Sequence, residues 1–146
     1  MKLLGWLDCD LTPLPEYCEL VSRSCRVPIP YNYPALGKDA FRTATGVHAA
    51  AVIKARKKGD DWLADRVYSS VPADWLGLKQ KIDVGPMCGE SNVVCWLVEH
   101  GEEPEPRLVE HIFTRAKQRE TVFEDAELTA LVVEFKKTGT GAARVG

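Results

Sequence analysis

Three things are scarce in this sequence, and each scarcity excludes a class of function. Long apolar runs come first: none approaches the roughly 20 residues that a membrane-spanning helix requires. The apolar opening Met1-Lys2-Leu3-Leu4-Gly5-Trp6-Leu7 reads only briefly as a secretion signal, because Asp8 and Asp10 interrupt it. Charge of one sign is the second. The 19 Lys and Arg stand against 21 Asp and Glu, for a net charge of −2 and a pI near 5.9. Nothing global therefore favours nucleic acid or an anionic membrane as a partner. The third is metal-type spacing. Cys9, Cys18, Cys25, Cys88 and Cys95 are odd in number, no pair has Cys-x-x-Cys spacing, and the three histidines are scattered. They read as reduced thiols, several simply buried, with no structural metal and a cytoplasmic setting.

What is present is enough for a core. At 146 residues with 45% hydrophobic content, the chain fits one domain or two small subdomains, and global disorder is excluded. Internal repeats are absent. Thr12-Pro13 opens a first helix, with threonine as the cap and Leu14, Tyr17, Leu20, Val21 and Cys25 recurring at helical spacing through Arg26. Val27 to Pro34 carries three prolines, which forbid a helix and favour an extended strap. A second helix runs from about Thr45 to Lys58 and closes at Gly59. Its basic end, Lys54, Arg56, Lys57 and Lys58, complements the helix dipole or else contacts a phosphate. Asp61 to Tyr68 forms a short helix, Val71 to Gly77 a single turn, and Lys81 to Gly85 a short strand.

After the turn Gly85 to Gly89, Glu90 or Ser91 caps a helix with Val93, Val94, Leu97 and Val98 inward and Gly101 at its end. Past an acidic linker at Glu102 to Pro106 come two amphipathic stripes. Leu108, Val109, Ile112, Phe113 and Ala116 form one, and Leu128, Leu131, Val132 and Phe135 the other. They predict a helical hairpin, followed by a frayed tail at 138–146. The fold class is mainly α (α+β), with one or two short strands.

The residues with chemistry to offer cluster around Phe41 to Lys54. Thr45 and Gly46 supply a cap and a close backbone approach, and His48 falls in the first helical turn. Unpaired amides there favour a neutral imidazole, which can accept a proton. A histidine so placed is also an ordinary cap or packed surface residue, and Tyr68 alone is an ordinary half-buried aromatic. His100 and His111 read as structural or exposed.

Gly46-Val47-His48 followed by Val52-Ile53-Lys54 resembles the Gly-Ile-His…Val-Leu-Lys segment of the 2-isopropylmalate, citramalate and homocitrate synthases. Val67-Tyr68-Ser69-Ser70-Val71-Pro72 and then Gly77 are similar to that family's Thr-Tyr-Glu-x-x-x-Pro stretch. Gly85-Pro86-Met87-Cys88-Gly89 is similar to its Gly-x-x-Ser-Gly turn. Laid along the family in order, residues 1 to 135 correspond to the region beyond its TIM barrel. Two positions depart: Thr43 stands where the family often carries a histidine, and Cys88-Gly89 is followed by Glu90 where a basic residue is common.

The resemblance implies an architecture and a chemistry. Residues 1–101 correspond to a first linker subdomain, 102–137 to a second, helical one, and 138–146 to a flexible tail. The family condenses acetyl-CoA with a 2-oxo acid, and the residues matching His48 and Tyr68 reach over the barrel mouth of a neighbouring subunit to assist proton transfer. Gly46, Lys54 and Gly89 would lie near substrate or coenzyme A. A TIM barrel takes about 200 residues or more, so none fits within this chain. The divalent metal and acetyl-CoA are expected on a partner barrel, with no cofactor bound by this chain alone and no activity without that partner. The family's effector domain has no room here either, so feedback through it is not expected. The expected partner is thus a TIM-barrel synthase subunit or a second copy of the chain, with no nucleic acid or membrane involved. The alternative is a non-catalytic dimerisation or regulatory module of the same descent.

Overall fold

A computed structural model describes residues 1–142, and among them the secondary structure is mainly helical. Six helices, α1 (Leu14–Cys25), α2 (Gly46–Lys57), α3 (Asp61–Arg66), α4 (Glu90–Glu99), α5 (Pro106–Lys117) and α6 (Asp125–Ala142), accompany two short strands. These are β1 (Arg42–Thr43) and β2 (Lys81–Ile82). The chain folds as two compact units, one of residues 1–43 with 54–81, the other of 44–53 with 82–146. The mainly α class with minor strand therefore holds.

In the first unit the proline-bearing stretch forms no helix. The chain turns at Tyr33, whose N–H donates to the Pro30 carbonyl at 3.0 Å, and again at Gly37, which donates to Tyr33 at 2.7 Å. The strand pair is minimal, with the Lys81 N–H donating to the Phe41 carbonyl at 2.8 Å. The strand expected from Lys81 to Gly85 ends at Ile82. The single turn at Ala73–Leu76 is a 3-10 helix that closes at Gly77 with φ 67°, as its sequence predicts.

Helix α1 corrects one expectation. Thr12 does not cap it: Pro13 occupies that position, while the Thr12 N–H and hydroxyl both donate to Asp10, at 2.9 Å each. Its stripe of Leu14, Tyr17, Leu20 and Val21 has the expected spacing, yet α1 contains no buried residue.

The second unit holds the hydrophobic core. Val93, Trp96 and Leu97 of α4 pack with Leu108, Val109, Ile112 and Ala116 of α5 and Leu128 and Val132 of α6. Both stripes of the expected hairpin face inward, because residues three and four apart share one helical face. On α4 the expectation slips by a residue or two. Val98 is exposed, and its place is taken by Trp96, whose indole N–H donates to Asp125 Oδ1 at 2.9 Å. The α4 cap also differs, since neither Glu90 nor Ser91 supplies it. Asn92 Oδ1 instead accepts the Gly89 N–H at 3.1 Å.

Helix α6 runs to Ala142, into the stretch expected to fray, and residues 143–146 of that tail lie outside the described residues. All five cysteines are free. Among the described residues no helix is long and apolar enough to cross a membrane.

Candidate functional site

Tyr68 lies where the chain leaves α3. Asp60 caps that helix, accepting the Leu63 N–H at 3.0 Å, and α3 ends as Val67 N–H donates to Leu63 at 2.9 Å. The next residue, Tyr68, turns left-handed with φ 59°. For a bulky L-residue this conformation costs on the order of 1–2 kcal/mol, so the surroundings must enforce it. They do so on both sides. Upstream, the Arg66 guanidinium stacks over Trp62 at 4.6 Å, donates to the Trp62 carbonyl at 3.0 Å and pairs with Asp74 at 3.7 Å. Downstream, buried Gln80 donates to the Ser69 hydroxyl while its own carbonyl accepts from Arg56 at 2.5 Å.

Despite this framing, the Tyr68 side chain is 62% exposed. It borders a cavity of about 370 Å³ lined also by Asn32, Tyr33, Ala35, Phe41 and Ser69. Ala35 is left-handed too, with φ 62°. Two of the three non-glycine residues with positive φ among those described thus line one cavity. Backbone strain concentrates where a side chain must be presented in a fixed direction. At the foot of α3, burial pushes the Asp65 carboxyl above its usual value. The Asp74 N–H, donating to Asp65 at 2.6 Å, pulls in the opposite direction.

His48 belongs to the second unit. The first amide of α2, at Gly46, donates to the Met87 carbonyl at 2.9 Å, and this bond seats the helix on the Gly85–Gly89 turn. Gly46 makes the close approach that its sequence context predicts. A Cβ built there would lie 2.7 Å from the Gly89 nitrogen and 3.0 Å from the Gly89 Cα. The turn is closed by the Cys88 N–H on the Gly85 carbonyl at 3.0 Å. Asn92 braces it, since its amide also donates to the Asp83 carbonyl at 2.9 Å. With Ala49 and Val52 buried, α2 presents Val47 and His48 on its exposed side.

The structure thus brings Gly46 and Gly89 into backbone contact, a packing reason for the glycine at position 46. His48 and Tyr68 lie in different units, and Lys54 is an exposed residue at the start of the second segment of the first unit. The Cys88 thiol is buried in the core, where it acts as a small hydrophobe. Sequence reasoning passed over Asn92, although a short amide three residues after the turn glycine has capping-box spacing.

No protein family model matches the chain. Individual proteins do. Over 101 residues it is 35% identical to an (R)-citramalate synthase from Aquifex aeolicus, covering 69% of this chain and 17% of that protein. Over 104 residues it is 33% identical to homocitrate synthase AksA from Methanopyrus kandleri, covering 71% and 24%. Over 137 residues it is 29% identical to a 2-isopropylmalate synthase from Bradyrhizobium diazoefficiens, covering 91% and 25%. The chain spans no more than a quarter of the length of these relatives. By sequence it is homologous to one region of the citramalate, homocitrate and 2-isopropylmalate synthase family, in agreement with the post-barrel region that its ordered motifs resemble.

Proposed function

We propose that this chain acts as the post-barrel module of an alkylcitrate-type acyltransferase, supplying His48 and Tyr68 to a TIM barrel held on another chain. The observation that carries this reading is the presentation of Tyr68, an exposed aromatic forced into a left-handed conformation at a cavity. The motif order and the exposed position of His48 on α2 support it. The reaction is a Claisen-type condensation of acetyl-CoA with a 2-oxo acid, followed by thioester hydrolysis. A thioester α-proton is weakly acidic, so its removal needs a positioned base and stabilisation of the enolate-like oxygen. In this reading the His48 imidazole takes the proton, and the Tyr68 phenol donates to the developing charge.

Among the described residues no group of three or more His, Cys, Asp and Glu converges as a metal-binding set. In this reading the chain contributes its own two side chains, and the divalent metal belongs to the barrel. At the basic end of α2, Arg56 is bound to the Gln80 carbonyl, and exposed Lys54 is the candidate contact for a coenzyme A phosphate in this reading.

The test is reconstitution. Mixing the chain with its cognate barrel protein should restore condensation, read as free coenzyme A. His48→Ala should cut turnover by about 10²- to 10⁴-fold, the usual worth of general acid–base help, with the thermal midpoint little changed. Full activity of that variant would refute the catalytic assignment.

A second reading rests on a separate observation. Helix α1 keeps Leu14, Tyr17, Leu20 and Val21 exposed, and Leu3, Leu4 and Trp6 before it are exposed as well. An apolar surface of this kind fits a docking module, either dimeric or seated on an intact synthase. Light scattering of the chain with and without the barrel protein separates the two readings. A stable dimer indifferent to the barrel would favour docking between copies.

A further inference from the structure

The end of α5 grips the turn on which α2 is seated. Lys117 Nζ donates to the Pro86 carbonyl at 2.9 Å and to the Cys88 carbonyl at 2.6 Å, with its ammonium 4.8 Å from the centre of the Phe113 ring. The carbonyl between them, that of Met87, accepts the Gly46 N–H. Three consecutive carbonyls are thus divided between two partners: the first and third go to one ammonium, the second to the first amide of α2. An ammonium suits this role because it offers three donors from one point.

The connection between α5 and α6 holds the same turn from its other end. Phe123 N–H donates to the Val84 carbonyl at 2.8 Å, and a Cβ on Gly85 would lie 2.8 Å from Val122 Cγ1. His48 follows Gly46 by two residues, so the direction of its Cα–Cβ bond follows from the seating of the first turn of α2 on this turn.

We infer that Lys117 is a positioning residue for His48. By fixing the Pro86 and Cys88 carbonyls, it aims the Met87 carbonyl at Gly46 and sets the direction of the first turn of α2. The effect on turnover rests on the catalytic reading above, whereas the structural link from Lys117 to Gly46 and His48 does not.

The test has two arms. In the isolated chain, Lys117→Met keeps the aliphatic stem and removes the donors. Amide exchange at Gly46 should accelerate on the order of tenfold, as expected for loss of a charge-assisted bond. The His48 ring resonances should shift, while core amides such as Ile112 keep their protection. Lys117→Arg should restore most of the protection at Gly46, and it carries the test if the methionine variant does not fold. Unchanged Gly46 exchange and His48 resonances in folded Lys117→Met would overturn the inference.

In the reconstituted enzyme, Lys117→Met should lower kcat about tenfold at unchanged KM and add nothing on a His48→Ala background. Loss of activity with His48→Ala but full activity with Lys117→Met would overturn the positioning role and leave the catalytic reading intact. Full activity with His48→Ala would refute the catalytic reading, and the exchange arm would still decide the link.

Discussion

The crossing of Gly46 and Gly89 makes a sharp test because its two sides are unequal. Replacing Gly46 with alanine puts a methyl 2.7 Å from the Gly89 nitrogen, 3.0 Å from its Cα and 3.3 Å from the Cys88 carbonyl carbon. All three neighbours are backbone atoms, so no side chain can rotate away, and α2 must lift from the turn. Forcing a methyl group into a packed site costs about 1–3 kcal/mol. The gain in helix propensity and the loss of unfolded-state entropy return up to about 1 kcal/mol. From the middle of that cost, about 2 kcal/mol, a net loss of about 1–2 kcal/mol remains, or about 3–6 °C in midpoint for a chain of this size.

The mirror substitution differs. A Cβ on Gly89 would sit 3.5 Å from Gly46 Cα and 3.6 Å from Ser91 Oγ, which is ordinary contact, and Gly89 has φ −99° and ψ 169°, accessible to alanine. Gly89→Ala should therefore change stability by less than about 0.5 kcal/mol. The chain has two units, so thermal unfolding should be paired with amide exchange at Leu97 and Ile112, which report on the second unit alone. A Gly46→Ala variant as stable as the parent, or a Gly89→Ala variant equally damaged, would refute the reasoning.

Two further expectations follow from the first unit. Tyr68→Gly should leave stability unchanged or raise it by up to about 1 kcal/mol, because glycine adopts φ 59° without strain, yet it should abolish the reconstituted condensation. A loss above 2 kcal/mol in urea unfolding would instead make Tyr68 a packing residue. Asp65, its folded value raised by burial, favours the protonated native state, so its contribution is fully present below 3.8 and lost as pH rises through the folded value. Asp65→Asn should therefore be the more stable form at neutral pH, with the gap closing as pH falls through that value toward 3.8. A gap that widens on acidification would reverse the assignment.

Most helices were legible because their cores are built from local periodicity. Leu108 to Ala116 and Leu128 to Phe135 each repeat at three and four residues, and such a stripe needs only a matching stripe nearby. Capping was less legible. Thr12 and Ser91 are the residue types that caps prefer, but Asp10 takes the Thr12 N–H and hydroxyl, and Asn92 takes the Gly89 amide that the turn presents. Propensity ranks candidates; geometry chooses among them. Lys117 lay further out of reach. Its position at the end of α5 reads as an ordinary complement to the helix dipole, and nothing in the sequence shows that Pro86 and Cys88, some 30 residues earlier, present carbonyls to it.

Helix α1 marks the other limit. Its stripe is as periodic as those of α5 and α6, yet none of its residues is buried, whereas theirs form the core. Periodicity states which face a helix wants covered and is silent on what covers it. The same holds for Tyr68: its framing by Arg66, Ser69 and Gln80 is complete, while its side chain remains exposed at the edge of a cavity. An apolar face on α1 and a left-handed Tyr68 are thus both left exposed in this chain. Both are accounted for together if a larger enzyme surface meets this chain, which is why the reconstitution with a barrel tests the stripe and the tyrosine in one experiment.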